Sequence, residues 1–136
     1  MIKEIVSYFE DDHNGGWAFS GFIFNSSQFT EEFWETVQYN TMEEDAEWTT
    51  TKPITYAQAQ ATVNQYCSDL PLMVLRQERD LLLQESDWSQ GTDVPSALKT
   101  AYATYRQELR DLPANSPDAA MDSNGSLTGV TWPTKP

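Results

Sequence analysis

The sequence contains little of the chemistry that most catalytic and metal sites require. Among 136 residues there is one cysteine, Cys67, and one histidine, His13. A single cysteine excludes an intramolecular disulfide and a zinc site built from several thiolates. A single histidine leaves no second imidazole for a His-based triad, and no phosphate-binding glycine loop or Gly-x-Ser-x-Gly turn is present. We therefore predict a protein that is not an enzyme and that holds no cofactor and no metal ion.

Long apolar runs are also lacking. No window approaches the roughly 18 apolar residues of a membrane-spanning helix. The first residues, MIKEIVSYFEDD, do not have the basic stretch followed by a long apolar stretch that marks a secretory signal. We therefore expect synthesis in the cytoplasm and no contact with a membrane.

Basic residues are scarce, because 8 Lys and Arg stand against 21 Asp and Glu, for a net charge of -13. Residues 1–50 hold eleven of the acids and one base, and residues 51–136 hold ten acids and seven bases. Such a field repels nucleic acid and anionic lipid, but suits a basic partner or a protein that imitates nucleic acid. The acidic runs at 10–14 and 43–47 are interpreted as solvated turns rather than as cation sites.

The first 52 residues are acidic and rich in aromatic residues, and we predict that they form a β segment. Runs at 2–9 and 17–24 favour two strands, and the glycines between them favour a hairpin turn. Residues 30–51 fit either a third strand, which we prefer, or a helix capped by Thr30. The predicted surface for a partner consists of the aromatic residues Trp17, Phe19, Phe22, Phe24 and Trp34.

Residues 53–113 are predicted to be helical, and residues 114–136 to be a linker and a Trp-Pro tail. Thr55 is the expected cap of one helix, and Pro71 the expected first turn of another, over 71–86. A further helix over 95–112 carries an apolar stripe of Leu98, Tyr102, Tyr105, Leu109 and Leu112. We predict an α+β fold: a small N-terminal antiparallel sheet, then a helical hairpin with an extended Trp-Pro tail folded back on it.

An arginine lies on the apolar stripe of the helix predicted over 71–86. Arg79 is in line with leucines there, so its guanidinium needs a partner if it is buried. Asp87, Asp111 or a backbone carbonyl can pair with it, and Trp88 or Trp132 can stack on it. The alternative is that the arginines of this region lie at the rim, with packed stems and solvated heads. The sequence leaves both interpretations open.

Four motifs in the second half resemble the C-terminal module of phage tail assembly chaperones and tail-fibre assembly proteins. They are an Arg-x-x-Arg-Asp helix, a Ser-Asp-Trp step, Tyr-Arg-Gln-x-Leu-Arg-Asp, and a closing Trp-Pro-x-x-Pro. The residues that match are Arg76, Arg79, Asp80, Leu82, Leu83, Ser86, Asp87, Trp88, Tyr105, Arg106, Gln107, Leu109, Arg110, Asp111, Trp132, Pro133 and Pro136. From this module we expect Trp132 to pack on the helices near Arg79, Tyr105 or Arg110.

The resemblance implies a bacteriophage tail protein that acts in virion assembly by binding a larger tail or tail-fibre protein. It would work in the host cytoplasm and shield an apolar surface of its partner. One alternative is a permanent structural or adaptor subunit that stays in the virion tail. A second alternative, from the charge alone, is an inhibitor that mimics nucleic acid. Residues 1–70 lie outside the resemblance, so the choice of partner can reside in them.

Overall fold

The computed structural model describes residues 5–136, which form a mixed α and β structure. Its helices are α1 (Ile5–Asp12), α2 (Glu31–Thr36), α3 (Tyr56–Glu85) and α4 (Ser96–Asp111), and short 3₁₀ turns cover Ser26–Gln28 and Asp87–Gln90. Its strands are β1 (Gly16–Ala18), β2 (Gln38–Asn40), β3 (Ala120–Met121) and β4 (Leu127–Thr128), which form two two-stranded sheets. The predicted α+β class is confirmed.

The chain divides into two compact units. Among the described residues, the N-terminal unit consists of 5–70 together with Met121–Ser126, and the C-terminal unit consists of Pro71–Ala120 and Leu127–Pro136. The three-part division predicted from the sequence stays a prediction. Within residues 5–136, no helix combines the length and the apolar character that crossing a membrane requires.

The segment predicted as the first strand is helical where the structure describes it. Residues 2–4 lie outside the described residues, and α1 begins at Ile5. Ile5 and Phe9 are four residues apart and are both buried. The Phe9 ring packs against Trp17 and Trp34, with ring centroids 5.2 and 6.2 Å apart. The prediction of a strand over 2–9 was therefore wrong, because burial of one helical face outweighs the weak strand preference of these residue types.

Strand β1 pairs with β2 and not with the segment before it. The two strands are antiparallel, with Gly16 opposite Asn40, Trp17 opposite Tyr39 and Ala18 opposite Gln38. Of the predicted strand over 17–24, only Trp17 and Ala18 lie in β1. The predicted hairpin with 2–9 was wrong. The turn before β1 connects the end of α1 at Asp12 to the start of β1 at Gly16.

Helix α2 occupies most of the segment for which a third strand was preferred. The Thr30 hydroxyl accepts a hydrogen bond from the Phe33 N–H at 3.1 Å, which caps the helix. Glu31 and Glu32 lie in its first turn, where negative charge is favourable. The preference for a strand was wrong over Glu31–Thr36, and the helical alternative is confirmed there. A strand does follow, since β2 begins at Gln38.

Helix α3 begins where its predicted cap lies but does not end before Pro71. The Thr55 hydroxyl accepts from the Gln58 N–H at 3.3 Å, and the Gln58 side chain accepts from the Thr55 N–H at 2.9 Å. The helix then runs through Pro71 to Glu85, so the prediction of a separate helix that begins at Pro71 was wrong. Proline cannot donate to the carbonyl of Cys67, a cost that burial of its ring partly offsets.

The helical hairpin formed by the C-terminal part of α3 and by α4 agrees with the prediction. The apolar stripe of α4 buries Tyr102, Tyr105 and Leu109. Beyond α4, the segment 114–129 contains the hairpin of β3 and β4, which the sequence did not predict. The Asp122 carboxylate holds its turn by accepting from the N–H groups of Asn124 and Ser126 at 2.9 and 2.8 Å.

Gly129, after β4, has a conformation that only glycine adopts easily. Its φ is +74°, and a Cβ atom there would lie 2.0 Å from the carbonyl oxygen of Asp118. We expect Gly129→Ala to lower the free energy of unfolding by about 2–4 kcal/mol, because it combines backbone strain with a clash against main chain. Urea denaturation followed by circular dichroism measures this loss.

Gly21→Ala is the matched control for that measurement. A Cβ atom at Gly21 would only reach ordinary contact with Phe33, at 3.6 Å. Its effect should stay within about 0.5 kcal/mol. Equal stability of the two variants would contradict the prediction.

Candidate functional site

The residues of the predicted module meet in the C-terminal unit around Arg106. This side chain is buried and comes from α4. Its Nη1 donates to the Leu83 carbonyl oxygen at 2.6 Å and to the Ser86 Oγ at 2.8 Å. Its Nη2 lies 2.8 Å from the Asp87 Oδ1. One guanidinium therefore joins α4 to the end of α3 and to the turn that follows. We call these four residues the Arg106 network.

The Arg106 network supplies hydrogen-bond donors to the C-terminal end of α3. The last four carbonyls of a helix have no partner within it. The Ser86 hydroxyl lies 2.9 Å from the Leu82 carbonyl oxygen and 3.0 Å from that of Leu83. The buried Ser89 hydroxyl donates to the Ser86 carbonyl at 2.6 Å. Two serines and one arginine thus provide donors where α3 ends, inside the unit and away from water.

Spacing along α4 explains why Arg106 is buried. It follows Tyr102 by four residues and precedes Leu109 by three, so it lies on the same stripe as the buried core residues. The sequence pointed to Arg79 by the same argument and missed Arg106. The same spacing rule, applied to α4, places Arg106 beside the apolar stripe of that helix.

Arg79 has a different partner from those expected. Its Nε and Nη2 both donate to the Asp80 Oδ1, at 2.9 and 2.7 Å. The Arg79 side chain is partly buried and that of Asp80 is exposed. Asp87, one of the partners expected for Arg79, instead pairs with Arg106. The structure therefore places Arg79 near the rim of the unit, which was the second interpretation.

The tail folds back on the helical hairpin, as predicted. Trp132 packs against a buried cluster of Tyr102, Tyr105 and Leu109, to which Leu82 and Leu83 also belong at its edge. The Tyr102 hydroxyl is 3.4 Å from the carbonyl oxygen of Pro136. The tail residue Lys135 lies 3.8 Å from Glu85 in an exposed ion pair, which contributes at most about 1 kcal/mol. Burial of the indole is therefore the main contribution of the tail to stability.

Several other module residues lie at the surface of the unit. Trp88 is half exposed and meets Tyr102 edge to face, with ring centroids 5.0 Å apart. Asp111 accepts a hydrogen bond from Gln107, one turn earlier, at 3.0 Å. A cleft of about 310 Å³ opens where the end of α4 meets the tail at Trp132. The remaining module residues are Arg76, Arg110 and Pro136, which are exposed, and Pro133, which is partly buried.

The aromatic residues predicted to bind a partner are not equally accessible. Trp17 and Trp34 are buried in the N-terminal unit and stack with ring centroids 6.0 Å apart. Phe19 is partly buried against Phe9. Phe22 is 84% exposed and stacks on Phe24, with ring centroids 6.1 Å apart. Phe22 is therefore the member of this set that presents the most surface, and the binding role of the set stays a prediction.

Polar groups inside the N-terminal unit are bonded to one another. The Thr62 hydroxyl donates to Asp12 at 2.7 Å and lies 3.1 Å from the His13 Nε2. His13 is therefore a bonded, partly buried side chain rather than the solvated loop residue that its position in a turn predicted. Within residues 5–136, no group of three or more His, Cys, Asp and Glu side chains is arranged to hold a metal ion.

Within residues 5–70, shifted pKa values occur at Tyr8, Cys67 and Lys52. Burial, and then the hydrogen bond to Asp69 at 2.9 Å, raises the pKa of Tyr8 to about 12. Burial raises the pKa of the Cys67 thiol to about 11, so the thiol is protonated and unreactive at neutral pH. Burial lowers the pKa of Lys52, and the negative charge of Glu35 opposes that shift. Burial is the largest cause of each of these shifts.

Comparison with known proteins finds a similarity in the C-terminal part of the chain. A family model described as "Phage tail assembly chaperone protein" matches residues 72–136, which is slightly under half of the chain. The match covers the Arg106 network, the aromatic cluster and the tail. No curated protein and no solved structure matches the chain.

Replacing Arg106 by lysine should destabilise the C-terminal unit. One ammonium cannot reproduce the geometry in which Leu83, Ser86 and Asp87 all receive a donor from one side chain, so some of these hydrogen bonds are lost. We expect Arg106→Lys to lower the free energy of unfolding by about 2–3 kcal/mol. Arg110→Lys, an exposed exchange on the same helix, should cost less than about 0.5 kcal/mol. Equal losses in urea denaturation would contradict the network.

Removing the indole of the tail should also destabilise the unit. We expect Trp132→Ala to lower the free energy of unfolding by about 2 kcal/mol, or roughly 6–12 °C in Tm, because a partly buried aromatic ring leaves the cluster. Deletion of 131–136 should lower Tm at least as much. The matched control is Thr134→Ala, an exposed tail residue. Differential scanning calorimetry gives the comparison, and an unchanged Tm in Trp132→Ala would show that the tail does not stabilise the hairpin.

Proposed function

We propose that this protein is a non-enzymatic bacteriophage tail assembly chaperone that binds a larger structural protein of the tail or its fibres. The observation that carries the proposal is the family match over 72–136. The matched segment contains both the Arg106 network and the Trp132 contact.

The contacts of the C-terminal unit support a structural role for the module. Two of its buried polar side chains bond to other residues of the unit: Arg106 to Ser86 and Asp87, and Ser89 to the backbone of Ser86. A side chain that is committed to such bonds holds the fold in place. The module is therefore a stable platform, and recognition of a partner falls to exposed residues.

Exposed apolar surface is what a chaperone of this kind needs. Phe22 offers such a surface in the N-terminal unit. Its neighbour Phe24 is partly buried, and its ring packs closely over Gly125, where a Cβ atom would lie 2.6 Å from it. A side chain that stacks on a fixed ring is presented with little freedom to lose on binding. Phe22 is thus the proposed apolar contact of the predicted aromatic set.

The charge of -13 fits work in the host cytoplasm. It keeps a small protein with exposed aromatic residues soluble and monomeric until the partner is met. A chaperone would then leave before the tail is complete. A permanent subunit would remain in the particle.

Affinity capture of the tagged full chain from infected cells, followed by mass spectrometry, tests the proposal. We expect enrichment of a tail or tail-fibre protein and absence of the chain from purified virions. Presence in virions would favour the permanent subunit. Recovery of a nuclease or polymerase without tail proteins would contradict the proposal and favour mimicry of nucleic acid.

Phe22→Ser should reduce recovery of the tail protein about tenfold, because the apolar contact is lost while the fold is kept. Leu81→Ser is the matched control, since Leu81 is an exposed apolar residue of α3 in the C-terminal unit. Quantitative mass spectrometry of the captured material gives both ratios. Equal recovery by the two variants would exclude Phe22 as the contact.

A further inference from the structure

A second exposed apolar surface lies in the N-terminal unit, outside the predicted aromatic set. It is formed by the loop that follows β2. Met42 is 69% exposed and Trp48 is 48% exposed. The two side chains lie together over Gly16: a Cβ atom there would be 2.7 Å from the Met42 Sδ and 3.2 Å from the Trp48 Cη2. We name this the Trp48 surface; it comprises Met42, Trp48 and the carboxylates of Glu43, Glu44, Asp45 and Glu47.

The loop that carries the Trp48 surface is held in one conformation. The buried Asn40 side chain accepts from the Met42 N–H at 2.6 Å and donates to the Ala46 carbonyl at 3.1 Å. Tyr39 and Thr49 close the base of the loop with two backbone hydrogen bonds of 2.8 and 2.9 Å. The apolar pair is therefore presented by a fixed loop, which lowers the entropy lost on binding.

The charge around the apolar pair has one sign. All four carboxylates are exposed, and no Lys or Arg occurs between residues 5 and 51. Lys52 is the first base, and its ammonium donates to the Val37 carbonyl at 3.0 Å and lies 4.7 Å from the Trp34 ring centroid. The ion pairs within residues 5–136 use other carboxylates. No ion pair within residues 5–136 neutralises the four carboxylates of the loop, so they can attract an external cation.

We propose that the Trp48 surface binds a Lys- or Arg-rich polypeptide segment that carries an apolar side chain. The apolar side chain packs on Met42 and Trp48, and the flanking cations meet the four carboxylates. A guanidinium can also stack on the indole. The inference rests on the proposed function only in taking this segment to be part of a tail protein.

Charge complementarity distinguishes this occupant from the alternatives. A second copy of the chain would bring four further carboxylates against the first four, and like charges in an interface oppose association. Nucleic acid and anionic lipid are repelled for the same reason. An uncharged apolar segment would leave the carboxylates without partners at the edge of the contact. A basic segment with an apolar side chain complements both the apolar pair and the carboxylates around it.

Titration of the isotope-labelled full chain with defined peptides tests the inference by nuclear magnetic resonance. The probe is an acetylated peptide, Lys-Lys-Leu-Lys-Phe-Lys-Leu-Lys-Lys. One control peptide replaces every Lys by Glu, and the other replaces Leu and Phe by Ser. We expect shifts at the Trp48 indole N–H and the Met42 methyl group, and a Kd at least tenfold lower for the probe than for either control.

Two matched charge variants distinguish the effect of the loop carboxylates from the effect of the overall net charge. The loop variant is E43Q/E44Q/D45N/E47Q, and the control variant is E78Q/D93N/E108Q/D118N, which removes the same charge from exposed sites of the C-terminal unit. We expect at least a tenfold loss of probe affinity in the loop variant and less than twofold in the control. Trp48→Ala should lose tenfold, and Leu81→Ala should lose less than twofold.

Three results would overturn the inference. The first is no binding at a millimolar concentration of the probe peptide. The second is an equal loss of probe affinity in the two charge variants. The third is self-association in sedimentation that Trp48→Ala abolishes, which would identify a second copy as the occupant. If Trp48→Ala still captures the tail protein fully from infected cells, the Trp48 surface is excluded as its contact while the proposed function stands. Loss of capture in Trp48→Ala but not in Leu81→Ala supports both.

Discussion

The C-terminal unit depends on one constraint: the buried guanidinium of Arg106 must have its partners. An unpaired charge inside a protein costs several kcal/mol, so an arrangement that separates Arg106 from Leu83, Ser86 and Asp87 is strongly disfavoured. These partners come from the end of α3 and from the turn after it, whereas Arg106 comes from α4. The network therefore fixes how the hairpin closes, with a directional specificity that apolar packing alone does not provide.

The remaining features of the unit follow from that closed hairpin. Tyr102, Tyr105 and Leu109 lie on one face of α4, and closure brings Leu82 and Leu83 against them. Trp132 packs on the same cluster. A proline after the tryptophan favours an extended tail and limits its freedom when unfolded, so docking loses less entropy. The family match over 72–136 covers both the network and the ring that completes the cluster. Residues from three of the four motifs are thus in contact with one another.

In the proposed function, the C-terminal unit provides stability and the N-terminal unit provides recognition. Arg106, Ser86 and Asp87 of the C-terminal module are bonded to each other. The N-terminal unit presents apolar side chains at Phe22, Met42 and Trp48. It also holds most of the excess negative charge. Exposed apolar residues with carboxylates beside them keep a protein soluble and select partners that are both basic and apolar. A stable module attached to a selective acidic unit is consistent with a chaperone that recognises one structural protein.

The sequence by itself determined the features that depend on near neighbours. The stripe of α4, the Thr55 cap, the excess of acid in residues 1–50 and the order of the module motifs are all local, so they could be predicted. Only the tertiary structure decided which of several similar residues are buried. Arg106 is buried and Arg79 lies near the rim; Trp17 and Trp34 are buried and Trp48 is not; Ile5 and Phe9 bury one face of a helix where a strand was expected. The physical reason is that burial is set by contacts between residues far apart in the chain, and those contacts outweigh local preferences of a few tenths of a kcal/mol.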